Sequence, residues 1–287
     1  MTSVRRIDSF RHDGLTFDVR DTGPPDGVVV VLLHGFPQTG SSWAATAAVL
    51  NQRGFRTIVP DQRGYSPGAR PRGRFAYRMS RLVADVAALV HEIGAGPVHL
   101  VGHDWGAAVA WSVAARRPEL VRSLTSVSVP HNLAFLRAMV SGDQLLRSYY
   151  MALFQVPWVP ELFVRAFPGL LARSLARTGM TVAQVGRVQS EIVRGGALTG
   201  ALNWYRAMAL QDPRLLRARV TVPTTHVWSD GDPTLSRRSA ELAGEYVRGR
   251  YRLEVLSGVS HWVPEEVPSV LADIIQRSAD AGFSRAG

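Results

Sequence analysis

The chain predicts an α/β fold: a mostly parallel, doubly wound sheet that carries an all-helical insertion. Three observations predict it. Short Val-rich apolar runs alternate with helical patterns up to residue 130. Strand signals then stop between residues 131 and 213, and they resume from 214. A length of 287 residues with 46% apolar and 20% charged side chains suits one large domain with an insertion. The expected division is therefore 1–130 and 214–287 for the two parts of the core, and 131–213 for the insertion.

In order along the chain, residues 15–20 read as a strand closed by the turn TGPPDG. Residues 28–33 are a continuous apolar run, the pattern of a strand buried on both faces. A helix is expected over 41–53 and a short strand over 57–60. Residues 78–93 place Leu82, Val86, Leu89, Val90 and Ile93 on one helical face. A strand over 98–101 and a helix over 107–115 follow, then a strand over 121–129. The insertion is rich in Leu, Arg, Ala, Trp and Tyr, with helical spacing broken at Pro157, Pro160, Pro168 and Gly195-Gly196. Beyond it come a strand over 220–228, a helix over 236–246, a strand over 251–256, a closing helix over 264–277 and a frayed tail from 280 to 287.

Composition excludes several classes of function. No cysteine is present, so disulfides, thiolate metal sites and a cysteine nucleophile are out. No His/Asp/Glu cluster has metal-ligand spacing, and neither a P-loop nor G-x-G-x-x-G occurs; the reading calls for no metal and no cofactor. The net charge of +10 is carried entirely by arginine. Those arginines are scattered, and the densest run, RGYSPGARPRGR, is interrupted by proline and glycine; a nucleic-acid partner is not expected. No apolar stretch approaches the ~20 residues of a membrane span. The start, MTSVRRIDSFRHDG, lacks the apolar core of a signal peptide, so a cytoplasmic location is expected. Self-association into a homodimer stays open.

The chemistry concentrates in PVHLVGHDWGAAVAW. An apolar strand runs into Gly102-His103-Asp104-Trp105-Gly106, and a helix former follows. A sharp strand-to-helix turn needs small residues on both flanks, and it pushes its apex residue out at the end of the sheet. In the G-x-S-x-G elbow that apex is serine; here it is Asp104. A carboxylate there attacks carbon and forms an ester on the enzyme. The alternative is an aspartate that merely caps the following helix. The loop HGFPQT follows the run 28–33, and its glycine allows close backbone approach. With such an elbow, one oxyanion donor comes from this loop and the other from the residue after the nucleophile, here the amides of Phe36 and Trp105.

His261, in GVSHWVPEE after the last strand, is the candidate base that activates water. His34 and His103 flank the motifs and are expected to orient loops, and His99 reads as a core histidine. A base needs an orienting acid. THVWSDGDPTL offers Asp230 and Asp232, of which Asp232 is preferred while the other shapes the turn.

HGFPQTGSSW, DQRGYSPGARP, VGHDWGAA and SHWVPEE resemble the epoxide hydrolase branch of the α/β-hydrolase superfamily, over almost the whole chain. The resemblance implies an α/β-hydrolase fold with an inserted helical cap, and hydrolysis of a small hydrophobic epoxide by water to a vicinal diol. It also implies two cap tyrosines that hydrogen-bond the epoxide oxygen. SYYMALFQ offers Tyr149 and Tyr150, of which Tyr150 matches by its spacing from the FQ pair, and ALNWYRAM offers Tyr205. The bland reading is that these rings pack the cap. Phe36, Trp105, His131 and Trp204 are expected to line an apolar pocket.

Haloalkane dehalogenases share the aspartate, the histidine and the tryptophan after the nucleophile, but usually carry a side-chain halide donor where this chain has Phe36. Fluoroacetate dehalogenases share HGFP but usually carry arginine where this chain has Trp105. A non-catalytic hydrolase-like binding protein would be expected to lack part of the triad, and all three members are present.

Overall fold

A computed structural model describes residues 5–212 and 216–283, the last two without their side chains. Eight strands form one sheet in the order β1-β2-β4-β3-β5-β6-β7-β8. They are β1 (Ser9–His12), β2 (Leu15–Thr22), β3 (Val28–Leu33), β4 (Phe55–Pro60), β5 (Val98–His103), β6 (Val121–Val127), β7 (Thr224–Ser229) and β8 (Tyr251–Leu256). The pairs β1–β2 and β2–β4 are antiparallel, and the remaining pairs are parallel.

The parallel strands are apolar throughout because both faces are covered. Alternate residues of β3 show this directly. Val29, Val31 and Leu33 enter one core with Leu82, Val86 and Leu89 of α2 (Met79–Ile93) and with Val109 and Val113 of α3 (Trp105–Arg116). Val30 and Leu32 enter the other, with Leu50 of α1 (Ala44–Gln52) and Leu271 and Ile275 of the last helix, Pro268–Phe283. The stripe on α2 is buried as its spacing predicts, and the helix ends on Gly94 at φ 66°.

Several expectations shift at their edges. β1 is an additional strand, joined to β2 through Asp13-Gly14, both with positive φ (54° and 73°), a hairpin turn that the dipeptide Asp-Gly favours. The strand expected over 220–228 is only an isolated bridge at Val220; the ladder starts at Thr224, after Pro223, which has no N–H to give. The helix expected over 264–277 is two helices, Val263–Glu266 and Pro268–Phe283, because proline disfavours helical backbone in the residue before it. The second runs on to Phe283, past the expected start of a frayed tail at 280; residues 284–287 lie outside the described residues.

Between β6 and β7 the described residues form helices and no strand. They are α4 (Asn132–Ser141), α5 (Gln144–Arg147), α6 (Tyr150–Phe154), α7 (Val159–Ala166), α8 (Pro168–Arg177), α9 (Val182–Arg187), a π-helical segment Val188–Arg194, and α10 (Leu198–Arg206). The expected end of the insertion at Pro213 lies outside the described residues.

Candidate active site

Asp104 sits between the end of β5 and the first residue of α3, at φ 51° and ψ −122°. A non-glycine residue rarely adopts this backbone, and the crowding around it explains the motif. A Cβ on Gly102 would lie 2.3 Å from the Gly106 carbonyl oxygen, and one on Gly106 would lie 2.2 Å from the Leu33 oxygen. A Cβ on Gly35 would lie 2.4 Å from the Asp104 Cβ. Three glycines thus let strand, helix and the HGFP loop converge on one carboxyl group. The Phe36 amide donates to Asp104 Oδ1 at 2.7 Å. Trp105 opens α3, so its amide has no partner in the preceding helical turn.

His261 approaches from the loop after β8. Its Nε2 lies 3.6 Å from Asp104 Oδ2, and its Nδ1 lies 2.6 Å from Asp232 Oδ2. Asp232 is fully sequestered in the loop after β7, with Oδ1 accepting from the Thr234 amide (2.7 Å), the Thr234 hydroxyl (2.6 Å) and the Leu235 amide. Asp230 points elsewhere and accepts from the Gly258 amide and the Ser257 hydroxyl, which shapes the turn. Burial opposes charge on His261, but the two carboxylates outweigh it and raise its pKa to about 10. The same pairing holds Asp232 below the usual carboxylate range, against its own burial. His103, buried beneath, is held down to about 4 by burial and by the positive His261; its Nε2 lies 2.9 Å from the His261 carbonyl oxygen.

Over Asp104 lies a cavity of about 130 Å³. Asp104, Tyr150, Tyr205, Asn132 and Thr234 supply polar atoms to its wall, and Met79, Trp105, Val129, Phe135, Leu136 and Met151 much of its apolar surface. The Tyr205 ring lies 6.2 Å from the Tyr150 ring and packs edge-on against Trp105, 5.0 Å between centroids. Burial, reinforced by the Asp104 charge, pushes both phenol pKa values well up, so both hold their protons. Tyr149, the other candidate, is 77% exposed and faces away.

Of the four residues expected to line the pocket, Trp105 does so. The Phe36 ring is set back, packed edge-on to Tyr205 (5.2 Å between centroids) and against Phe154. Trp204 and His131 lie outside the cavity. Trp204 is 1% exposed because its indole N–H is spent on the Arg63 carbonyl, 2.8 Å away. His131 caps α4, accepting from the Leu133 amide, and stacks on Tyr246.

Sequence reasoning missed two supports of the site. Thr234 braces Asp232, and its hydroxyl oxygen is 3.1 Å from His261 Nδ1; the signal was the Asp-x-Thr turn, which closes with side-chain hydrogen bonds. The DQRGYS loop is the second. The Gln62 side-chain amide donates to the His34 carbonyl and its backbone N–H donates to His34 Nε2, while the Arg63 carbonyl accepts from the Trp204 indole and its guanidinium forms a buried ion pair with Asp85. A Cβ on Gly64 would lie 2.9 Å from Gly200 of α10. One loop therefore ties the HGFP turn to the helix that carries Tyr205.

The profile of the alpha/beta hydrolase fold family matches residues 28–268. The AB hydrolase superfamily protein YfhM of Bacillus subtilis is 33% identical over 92% of this chain and 94% of its own. Human Epoxide hydrolase 4 is 30% identical over 92% of this chain and 76% of its own. Among solved structures, epoxide hydrolase A from Mycobacterium thermoresistibile superposes with a TM-score of 0.79 at 29% identity, covering 93% of this chain and 96% of that one. The epoxide hydrolase of Bacillus megaterium, solved with an inhibitor, gives 0.83 at 25% identity, over 95% and 99%. The match over most of its length and the aspartate elbow beneath the inserted helices agree: the chain belongs to the α/β-hydrolase fold family.

Proposed function

We propose that the protein is an epoxide hydrolase that opens a hydrophobic epoxide to a vicinal diol through an ester on Asp104, with residues 131–213 acting as a cap over the core. The observation that carries this reading is the pair of protonated phenols, Tyr150 and Tyr205, lining the same cavity as the Asp104 carboxylate. The relatives and solved structures named as epoxide hydrolases support it.

An Asp104 oxygen attacks one ring carbon, and the bond from that carbon to the ring oxygen breaks with its electrons on oxygen. The phenols polarise that oxygen, and one of them passes its proton to the alkoxide. The ester leaves Asp104 without charge, so His261 loses one of the two carboxylates that hold its proton. Its pKa falls, it passes its proton to the phenolate left by ring opening and so becomes a base, with Asp232 fixing the ring. Water gives a proton to His261 and attacks the ester carbonyl. The Phe36 and Trp105 amides receive the oxyanion, and collapse releases the diol. The proton taken from water stays on His261, again held between the two carboxylates. Donors of this kind are worth roughly 2.7–4 kcal/mol each in other hydrolases.

A dehalogenase reading is weaker on one specific point: halide departure gives the paired phenols no proton to deliver, and Phe36 has no side-chain donor. Assay of aryl and alkyl epoxides beside matched haloalkanes tests the choice. Diol formation without halide release is expected; halide release without diol would overturn the reading.

A further inference from the structure

Helix α7 is inside out. Its buried side is Pro160 and Glu161, and Glu161 forms a buried ion pair with Arg206, 2.7 Å from Oε1 to the guanidinium. Val159, Leu162, Phe163 and Ala166 take the spacing of one apolar face of α7, Phe167 at the break and Leu170 of α8 follow them, and all six are exposed. Most of the exposed large apolar side chains among the described residues lie between 136 and 170. Leu136 on α4 belongs to that set and also lines the cavity. A solvent-facing stripe of this size marks a contact site rather than a folding element.

Charge selects the occupant. Arg165 on α7 and Arg173 and Arg177 on α8 are exposed. Between residues 144 and 180 the single acid is Glu161, which is buried against Arg206. Trp158, 75% exposed, stands just before α7 in a left-handed backbone conformation, φ 61°. An apolar helical face with arginines, a tryptophan at its end and no exposed carboxylate fits the headgroup region of an anionic bilayer. A second copy meeting this face through a two-fold axis would bring arginines against arginines. No helix among the described residues is long and apolar enough to cross a membrane, so the contact is peripheral.

We propose that the α7–α8 face of the cap docks on anionic lipid bilayers, presenting the cavity to substrates dissolved in the membrane. The docking claim stands apart from the catalytic reading, since its test needs no turnover. Full-length protein is sedimented with phosphatidylcholine vesicles, with and without phosphatidylglycerol, at low and high salt. Binding to the anionic vesicles, released by salt, is expected. The Arg165→Gln, Arg173→Gln, Arg177→Gln variant should bind about a hundredfold more weakly, from roughly fivefold per arginine near such a surface. A Trp158→Ser, Phe163→Ser variant should lose binding to the anionic vesicles while keeping its melting curve and its turnover of a water-soluble epoxide. Wild-type protein that stays in the supernatant with anionic vesicles overturns the proposal. So does a dimer in sedimentation velocity that the serine variant abolishes while lipid binding is absent, because the face would then belong to a second copy.

Discussion

The two halves of the candidate site are built differently. Asp104, Asp232 and His261 stand at the ends of β5, β7 and β8: glycines where a Cβ would come within 2.2–2.4 Å of a neighbour and a positive φ fix Asp104, an Asx-type turn fixes Asp232, and Asp232 holds His261. Tyr150 and Tyr205 stand on short helices of the insertion and are held by side chains, through Trp105, Trp204 and ring contacts with Phe36 and Phe154. The first half is rigid and motif-bearing. The second is held by side-chain packing, so on the proposed mechanism its residues act on one step of the reaction while the first half serves both.

Several measurements can break that comparison. The largest effect is expected from Asp232→Asn. It should lower steady-state turnover by about 10⁴-fold, the cost seen when the orienting acid of a triad is neutralised in other hydrolases. Ester formation in single turnover should survive it far better than ester hydrolysis. Next come Tyr150→Phe and Tyr205→Phe, each expected to slow ester formation by about 10²-fold, with ester hydrolysis little changed, since one of two donors is removed from the leaving oxygen. If either instead blocked hydrolysis of a preformed ester, the division of labour between the halves would be wrong.

A subtler test concerns protons. His261 has a raised folded-state pKa, about 10 against an ordinary 6.5, so its charge adds stability that is fully present below 6.5 and is lost as pH rises through about 10. Asp104→Asn removes one of the two carboxylates and should move the His261 titration, read by NMR, to lower pH and flatten that alkaline loss. An unmoved titration would mean that Asp104 does not hold the proton, and the switch from acid to base on ester formation would fail. The smallest effect is expected from Trp204→Phe. It leaves the buried Arg63 carbonyl without its donor, worth about 1–3 kcal/mol of stability, and loosens α10. Ester formation should slow a fewfold, and with it turnover, while hydrolysis stays constant.

The contrast also explains what could be read from the sequence. Steric necessity writes itself into residue type: Gly102, Gly106 and Gly35 are visible because nothing larger fits, and Asp104 between them is visible as a departure from serine. The alternation on β3 and the stripe on α2 were legible for the same reason, as burial imposes a period. Contacts made by side chains across the fold carry no such period. Trp204 and His131 are expected in the pocket, yet one is tied to the DQRGYS loop and the other caps a helix. The role of DQRGYS itself depends on what α10 brings against it, which no local pattern announces. On α7 the period was present but its direction was not: an apolar stripe says that a face is covered by something, and here that is not the protein's own core.

The central claim is that Asp104 bonds to the substrate. Single turnover of an epoxide in heavy-oxygen water, followed by mass spectrometry of the peptide containing residue 104, tests it directly, with His261→Gln used to hold the intermediate. Heavy oxygen should enter the Asp104 carboxylate of the native enzyme, and the variant should retain the substrate as an adduct on the same peptide. An unlabelled peptide from enzyme that has turned over its substrate, with the heavy atom found in the diol instead, would contradict the account.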